Sequence, residues 1–435
     1  MIKRIFFLCV CLLLVSLVKN GFCAGSGAYR LEVPDAEAMG KGAAFVAQAD
    51  NPSAIYYNPA GLTQLKGKTY ISVGGSAIQM LTTHEDVSGN TASERRQVFT
   101  IPNGFIVSDL GIKKFSFGIG ATSFWGLGTQ WEDSSFSRYV ATKSDFTTQD
   151  VMLTAAYEIN DNLSIGAGAD YIRASVDKMK KLSQGSGADG DFELEGKDNN
   201  SWGFRLSSLY KINKKHSFGL MYRSPVEVKY KGKVYLNNLN NAGLTPYNTI
   251  FGGSNYETDI TSKSTLPQSI VFGYCYKPDD KWRFEVDMEW MDWASVKEEE
   301  IDYPSGFGSP EAVPGGRSGV LNNGNPIPRN WNAVFSYAFG TEYKVNDTLK
   351  LRGGYFFHKT PIPQGTFDTA LPDANSNSVT LGAGINLNRS ITLDLAYAAM
   401  IFDKRKINNA VGSGTINGKY SSLCNIYMVT VTFKL

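Results

Sequence analysis

The sequence lacks any long apolar run beyond its N-terminus, and this limits the ways in which the chain could cross a membrane. After residue 24 there is no stretch of about 18 consecutive apolar residues, the length expected of a membrane-spanning helix. We therefore predict no transmembrane helix in the mature chain. Such a chain is either exported and soluble, or it spans a membrane as a β-barrel, whose closed sheet satisfies its own backbone hydrogen bonds in lipid.

Cysteine and histidine are scarce, which disfavours a disulfide framework and a metal site. Of the five cysteines only Cys275 and Cys424 lie deep in the mature chain. The three histidines, His84, His216 and His358, have no metal-ligand spacing. There is no Ser/His/Asp grouping, and no glycine-rich segment precedes a helix as a dinucleotide-binding fingerprint would require. The sequence therefore predicts no enzyme, no metal and no cofactor.

Neither sign of charge predominates, since 43 lysines and arginines stand against 41 aspartates and glutamates. A nucleic-acid-binding protein would need a clustered basic face, and the sequence does not suggest one. Glycine is abundant at 44 residues, as are tyrosine at 22 and phenylalanine at 25. Glycine and aromatic residues together favour strands and tight turns over helices.

The N-terminus has the pattern of a secretory signal peptide. Two basic residues precede an apolar run over residues 5–18, and small residues follow. We expect residues 1–23 to be removed, with cleavage after Cys23 or Ala24. Lipid modification of Cys23 is the alternative. The chain is therefore predicted to be exported.

Alternation of apolar and polar residues, which is typical of β-strands, recurs along the chain and is clearest between Trp282 and Trp290. At about 3.3 Å per residue and a tilt of about 40°, these two tryptophans would be about 20 Å apart along the membrane normal, close to the spacing of about 25 Å between aromatic girdles. The apolar face is therefore predicted to contact lipid. The opposite face carries Glu285, Asp287 and Glu289, which we interpret as part of a hydrated lumen wall rather than as acid/base catalysts.

Short and long polar connections alternate along the chain. The short ones lie around residues 109–113, 160–162, 213–215, 278–281, 346–348 and 388–390. The long ones cover residues 82–95, 126–145, 180–199, 232–263, 297–329, 359–377 and 404–418. These connections would join 14 strands, and an even strand number with short periplasmic turns and long extracellular loops is typical of outer-membrane barrels. We therefore predict an all-β fold, a 14-stranded antiparallel transmembrane β-barrel over residues 67–435.

Residues 24–66 precede the first predicted strand and do not alternate. They suggest short helical turns separated by glycine and proline, and they are apolar and low in charge, unlike a typical disordered segment. A lumen of this strand number is too wide for side chains alone to close. We expect residues 24–66 to form a small, partly helical hatch inside the lumen, with a disordered periplasmic tail as the alternative.

Several motifs resemble those of the FadL/TodX-type outer-membrane transporters of long-chain fatty acids and hydrocarbons. The stretch from residue 42 to residue 62, which includes Asn58, Pro59 and Ala60, is similar to the hatch signature of that family. Further matches lie at residues 102–103, 222–224, 351–355, 361–363 and 371–373. The resemblance covers nearly the whole mature chain. It implies a monomeric barrel with a hatch in the outer membrane of a Gram-negative cell.

The resemblance also implies a mechanism of transport. Hydrophobic ligand would be captured in the outer loops and would diffuse through a lateral opening made by an inward kink of strand three. Gly126 and Gly128 lie at the matching position, and glycines at a strand end suit a kink or bulge; an ordinary strand-to-loop boundary is the alternative. We expect facilitated diffusion with a rearrangement of the hatch. Uptake of monoaromatic hydrocarbons is one alternative function, and a structural or adhesive surface barrel is another.

Transport of an amphipathic acid requires an apolar groove and a cation for the carboxylate. Arg173 and Arg329 roughly match basic positions that the family links to ligand binding, although either could instead belong to a loop network. The apolar candidates lie in or beside the long loops: Phe124, Trp125, Leu127, Trp131, Phe136, Leu244, Ile250 and Phe251.

The expected partners, apart from the ligand, are outer-membrane lipid, lipopolysaccharide and the barrel-assembly machinery. Outer-membrane barrels often end on an aromatic residue that helps assembly, whereas this chain ends Phe433-Lys434-Leu435. We expect this difference to affect recognition during assembly and not the fold.

Overall fold

A computed structural model of the chain describes residues 27–31, 34–185, 187–304, 316–322, 324–409 and 411–435, without the side chains of residues 412 and 413. The predicted signal peptide, residues 1–23, lies outside the described residues, as do both predicted cleavage positions. Within the described ranges no helix is long and apolar enough to cross a lipid bilayer.

In the part of the chain that the structure describes, 14 antiparallel strands form one closed sheet. They are β1 Thr69–Glu85, β2 Phe99–Ser108, β3 Phe115–Thr122 and Gly126–Gln130, β4 Lys143–Asn160, β5 Leu163–Leu182, β6 Gly190–Lys211, β7 His216–Arg223 and Val226–Asn237, β8 Tyr256–Leu266 and Ser269–Tyr276, β9 Trp282–Met291 and Glu298–Asp302, β10 Val334–Lys344, β11 Leu349–His358, β12 Ser376–Asn386, β13 Ile391–Phe402 and β14 Gly418–Lys434. Each strand pairs with its sequence neighbours. The barrel closes where β1 pairs with β14, from Tyr70 opposite Lys434 to Glu85 opposite Lys419. The predicted 14-stranded barrel is confirmed.

Several short elements are not part of the 14 strands of the barrel. Further strand segments lie at Thr91–Ser93, Ile327–Pro328 and Arg405–Ile407. The helices are α1 Ala36–Met39, α2 Ala54–Tyr57, α3 Tyr247–Phe251 and α4 Gly316–Leu321, and the 3-10 turns are Pro59–Gln64, Trp293–Ser295, Gln364–Thr366 and Val411–Gly414.

The six short turns share one side-chain-to-backbone hydrogen bond. Each begins with an aspartate or asparagine whose side-chain oxygen accepts a hydrogen bond from the backbone N–H two residues later, at distances of 2.8–3.0 Å. These residues are Asp109, Asn160, Asn213, Asp279, Asn346 and Asn388. The side chain replaces a backbone partner and so reverses the chain in few residues.

The two faces of the sheet differ as the alternation predicts. Exposed apolar side chains cover the outer face, as contact with lipid requires: Leu153, Ile165, Phe204, Leu206, Leu220, Phe272, Val286, Met288, Phe335, Phe339, Leu381, Leu395 and Val429. The inner face carries buried charges in ion pairs. Arg352 contacts Glu342 at 2.8 Å and Asp394 at 2.6 Å, and Arg205 contacts Asp170 at 2.7 Å. Pairing is what makes such buried charges tolerable.

Residues 34–66 lie inside the barrel, where they contact inward-facing side chains from several strands. Asp287 of β9 accepts hydrogen bonds from the backbone N–H groups of Phe45 and Val46, and Thr380 of β12 accepts one from Gly42. We call this segment the hatch. The limits predicted for it, residues 24–66, remain a prediction.

The hatch backbone packs directly on glycines of the wall. A Cβ atom at Gly354 of β11 would lie 2.2 Å from the backbone N of Gly42, and one at Gly340 of β10 would lie 2.4 Å from the carbonyl O of Lys41. Real Cβ atoms do not approach backbone this closely. Glycine is therefore required where β10 and β11 face the hatch.

Candidate ligand chamber and lateral gap

Strand β3 breaks between Thr122 and Gly126 and turns inward. Thr122 pairs with Asp150 and Gly126 pairs with Thr147, so β3 uses three residues, 123–125, where β4 uses two. One extra residue on one strand of a pair is a β-bulge, which bends the strand that carries it.

Above the bulge, β3 pairs with residues 27–31, which we call the N-terminal segment, instead of with β2. The backbone N–H of Leu31 donates to the carbonyl of Phe124 at 2.9 Å, and the N–H of Gly126 donates to the carbonyl of Tyr29 at 2.8 Å. Among the residues that the structure describes, 99–103 of β2 pair with β1 and have no ladder partner on β3. We call this interruption of the wall the β2–β3 gap.

A cavity of about 180 Å³ lies beside the upper part of β3, between the N-terminal segment and the outer loops. Most of its walls are apolar. Its lining includes Tyr29, Leu127, Phe146, Val176, Leu194, Tyr230, Ile260, Val296, Trp331 and Leu371, together with the charged residues Lys178, Glu299, Arg329 and Asp368. We call this cavity the outer chamber.

The ring of Tyr29 lies among four other aromatic rings. Its centroid is 4.8 Å from that of Trp293, 5.1 Å from Phe146, 5.5 Å from Trp331 and 6.0 Å from Trp125. Burial raises the pKa of the Tyr29 phenol, so the ring stays neutral. The N-terminal segment thus places an aromatic side chain in a box of four rings built by the barrel and its loops.

The charged side of the outer chamber is internally balanced. Arg329 donates to Glu299 at 2.8 Å and to Asp368 at 2.5 Å, and Glu299 also contacts Lys178. Burial alone would lower the pKa of Arg329, but the carboxylates of Asp368 and Glu299 outweigh it and raise the pKa. A ligand carboxylate would have to compete with these two acids for the guanidinium.

The sequence matches, over residues 23–435, the family described as outer membrane protein transport protein (OMPP1/FadL/TodX). The chain belongs to this family. It is an outer-membrane transport protein, and the family is one of channels rather than enzymes.

Curated relatives and solved structures agree with this assignment. The long-chain fatty acid transport protein of Escherichia coli strain K12 is 24% identical over 399 residues, which cover 83% of this chain and 84% of that protein. Outer membrane protein P1 of Haemophilus influenzae is 23% identical over 86% of both chains. A Pseudomonas aeruginosa FadL homologue has the same fold, with a TM-score of 0.76, 18% identity and coverage of 93% of this chain and 99% of that chain. For the Pseudomonas putida toluene transporter TodX the values are 0.70, 17%, 95% and 99%.

Three of the predicted apolar residues lie at or below the outer chamber. Leu127 lines it, and Trp125 belongs to the box around Tyr29. Phe124 lies in a second, smaller cavity below, where the guanidinium of Arg223 is 4.0 Å from its ring centroid. Gly126 bonds to the N-terminal segment and Gly128 pairs with Asp145 on β4, so both predicted kink glycines belong to the inward segment of β3.

Three more of the predicted apolar residues lie elsewhere in the loops. Trp131 is buried and donates through Nε1 to the carbonyl of Thr369 at 3.0 Å. Phe136 stacks on His84 with centroids 3.7 Å apart. Phe251 is buried in a separate loop cluster, which shares Leu194 and Ile260 with the lining of the outer chamber. Their predicted contact with ligand remains untested.

The two predicted cations have different surroundings. Arg329 lines the outer chamber, whereas Arg173 does not. Arg173 is exposed on the outer face of β5, two positions above Tyr171, and its Nε donates to Asn199 at 3.1 Å. Because successive strand residues face opposite sides of the wall, the side chain of Arg173 faces away from the lumen.

The predicted hatch motif ties the hatch to the wall. The Asn58 amide donates to the carbonyl of Val46 at 2.7 Å and to that of Ser208 at 3.0 Å, while its oxygen accepts from Ala60. Pro59 and Ala60 pack against Gly166 of β5, where a Cβ atom would lie 2.4 Å from the N of Ala60. The motif thus contacts β5 and β6 as well as the rest of the hatch.

Sequence reasoning missed several residues of the outer chamber. Tyr29, Trp293 and Trp331 build the box, and Glu299 and Asp368 neutralise Arg329. The only available signal was that Trp293 and Trp331 flank a long predicted loop. Three carboxylates that the sequence analysis had not grouped, Asp177, Glu193 and Glu195, have ligand atoms within 4.8 Å of one another, but Glu195 is exposed, and exposed acidic groups are common without an ion.

Proposed function

We propose that this protein moves long-chain fatty acids or similar hydrophobic molecules across the outer membrane by facilitated diffusion. One observation carries the proposal. The apolar outer chamber is in contact both with the outer loops and with Tyr29, the residue whose backbone holds β3 away from β2. Ligand bound in the chamber would therefore be separated from the β2–β3 gap by Tyr29.

The N-terminal segment would act as the gate. Ligand that enters the aromatic box must displace the ring of Tyr29, and the backbone bonds of Tyr29 and Leu31 to β3 would be broken with it. Ligand binding then favours the conformation in which this segment has moved, because only that conformation offers the box. Release would follow through the β2–β3 gap, without an energy source.

A fatty acid would place its carboxylate at Arg329 and its tail in the chamber. This orientation is supported by the position of Arg329 on the charged side of a cavity whose other walls are mostly apolar. A charge-assisted hydrogen bond of this kind contributes about 1.5–3 kcal/mol. The competing acids Glu299 and Asp368 reduce that contribution, because Arg329 already has two partners.

Uptake of monoaromatic hydrocarbons is the second candidate, and the size of the outer chamber favours it. The cavity measures about 180 Å³, and an apolar protein cavity of about 150 Å³ is known to hold benzene. A compact aromatic molecule would need no carboxylate partner, which agrees with the internally balanced charges around Arg329.

Removing the cation distinguishes the two substrates. We expect the double variant Arg329→Gln/Asp368→Asn to lower oleate uptake about tenfold to one-hundredfold, as the loss of one charge-assisted bond would, and to leave toluene uptake unchanged. The second substitution avoids leaving Asp368 buried without its partner. The measurement is initial uptake of radiolabelled oleate and toluene by cells that lack their own transporter.

The matched control is Arg173→Gln, the same change on the outer face of β5. We expect it to alter neither uptake. Loss of oleate uptake in the control but not in the Arg329 variant would show that the carboxylate site is assigned to the wrong arginine. If the unaltered protein raises neither uptake above background, the structural or adhesive barrel becomes the better proposal.

A further inference from the structure

Strands β7, β8 and β9 break at one common level, opposite in the wall from strands β1 and β2. The breaks lie at residues 224–225, 267–268 and 292–297. Directly below them, Ile270 of β8 is paired with Tyr222 on one side and with Trp290 on the other. These three side chains face outward and are the last members of the apolar outer band on their strands.

The outward-facing residues above the breaks are polar. Glu227, Lys263 and Glu298 are all exposed, each on the upper segment of its strand. The change from an apolar row, two of whose three members are aromatic, to charged residues marks the boundary between hydrocarbon and water on a barrel wall. The breaks therefore lie at the outer membrane surface, at the level of the lipid headgroups.

Between β8 and β9 the break leaves an opening. Ser269 pairs with Met291 below it and Lys263 pairs with Glu300 above it. Among the described residues between those points, 264–268 on β8 and 292–299 on β9 form no ladder with each other, and one backbone hydrogen bond, from Asp292 N–H to the carbonyl of Gln268 at 3.0 Å, closes the lower end. We call this interruption the β8–β9 gap.

Residues 292–297, which interrupt β9, turn into the barrel. Trp293 is buried to 1% exposure and packs on Tyr29, the residue at the floor of the outer chamber. The backbone carbonyls of Val296 and Lys297 accept hydrogen bonds from Trp331 and Arg329 instead of from β8. These backbone hydrogen bonds to residues 329–331, which precede β10, thus hold the gap open.

The outer chamber extends through this gap. A cavity enclosed by an intact sheet is lined by residues of one parity, because alternate side chains face opposite sides. Here the inward-facing Ser262 and Glu299 line the same cavity as the outward-facing Lys263 and Glu298. The exposed Ser295 also belongs to the lining.

We propose that the β8–β9 gap is a second entrance to the outer chamber, through which compact uncharged aromatic solutes pass from the membrane surface. This proposal rests on the transport function proposed above. The gap lies at the headgroup level, where the amphipathic rings of Trp and Tyr side chains also lie, and we infer that it is open to compact aromatic solutes dissolved in the membrane. Such a solute reaches the aromatic box without passing between the outer loops. A fatty acid, whose tail would have to leave the hydrocarbon, enters through the loops.

A reversible block of the gap tests the proposal. Ser295→Cys places a thiol in the lining, while the two native cysteines that the structure describes, Cys275 and Cys424, are buried. The variant is reacted with a bulky, membrane-impermeant reagent that forms a mixed disulfide. We expect the modified protein to lose most of its toluene uptake, to keep its oleate uptake, and to recover on reduction.

Thr261→Cys is the matched control. It is exposed on β8, above the gap, and does not line the chamber, so its modification is expected to change neither uptake. Unchanged toluene uptake by fully modified Ser295→Cys overturns the proposal. So does an equal loss of oleate uptake, because the reagent would then fill the chamber and not an entrance. If the unmodified protein transports neither solute, the proposed function itself fails.

Discussion

Replacing Glu285 and Asp287 together by alanine will release the hatch from the barrel wall while the barrel stays closed. The two carboxylates accept hydrogen bonds from four consecutive backbone N–H groups of the hatch. Asp287 binds those of Phe45 and Val46 at 2.8 and 3.0 Å, and Glu285 binds those of Ala47 and Gln48 at 2.7 and 2.9 Å. All of these groups are removed from bulk water.

The expected effect is large because each buried N–H left without a partner costs about 1–3 kcal/mol. The variant also removes the carboxylate that lies 3.5 Å from the ammonium group of Lys41, a side chain exposed to only 1%. The hatch can recover these losses only by leaving the wall and taking up water. The strands of the barrel keep their own ladder bonds and have no corresponding loss.

Limited proteolysis measures this release. We expect trypsin to cut after Lys41 in the double variant and not in the unaltered protein, while both run as folded barrels on unheated gels. Asp259→Ala, an exposed carboxylate on β8, is the control and should leave Lys41 protected. Glu285→Gln/Asp287→Asn keeps acceptor oxygens and should be cut more slowly than the alanine variant. A protected Lys41 in the alanine variant would mean that other contacts hold the hatch.

The barrel could be predicted from the sequence because its determinants are local. Alternation assigns faces within one strand, and each short turn carries its own aspartate or asparagine cap. Strand number follows from counting such turns. No long-range information is needed to reach 14 strands, since every strand pairs with its neighbours in sequence.

The outer chamber could not be predicted in the same way, because it joins distant segments. Tyr29 meets Trp125, Trp293 and Trp331 only after the sheet has closed. The neutralisation of Arg329 by Glu299 and Asp368 likewise depends on how two loops pack.

Some signals were present in the sequence and were not used. Arg173 has the same parity as Tyr171, which already places it on the outer face. Pro225 and Pro267 interrupt β7 and β8, and proline lacks the N–H that a central strand must donate. The first feature follows from period-two geometry and the second from the missing N–H of proline, so neither needs the structure.

Deleting Ser123 should abolish transport by closing the β2–β3 gap. With one residue fewer, β3 would have two residues opposite the two of β4, between the pairs Thr122–Asp150 and Gly126–Thr147. The bulge is then lost, and without it the upper part of β3 continues in line with the lower part. Residues 99–103 of β2 gain a partner.

The predicted result is a folded barrel whose uptake of both oleate and toluene falls to the level of cells without the protein. Both substrates are affected because both leave by the same gap, whichever entrance they use. Deletion of Gly89, in the exposed loop after β1 where a Cβ would have no neighbour within 4 Å, controls for shortening the chain and should leave uptake intact. The substitution Gly126→Trp tests the same path without changing length, since even a Cβ atom there lies 3.0 Å from Leu31. Undiminished uptake by a folded Ser123 deletion would exclude the lateral route and require passage straight through the hatch.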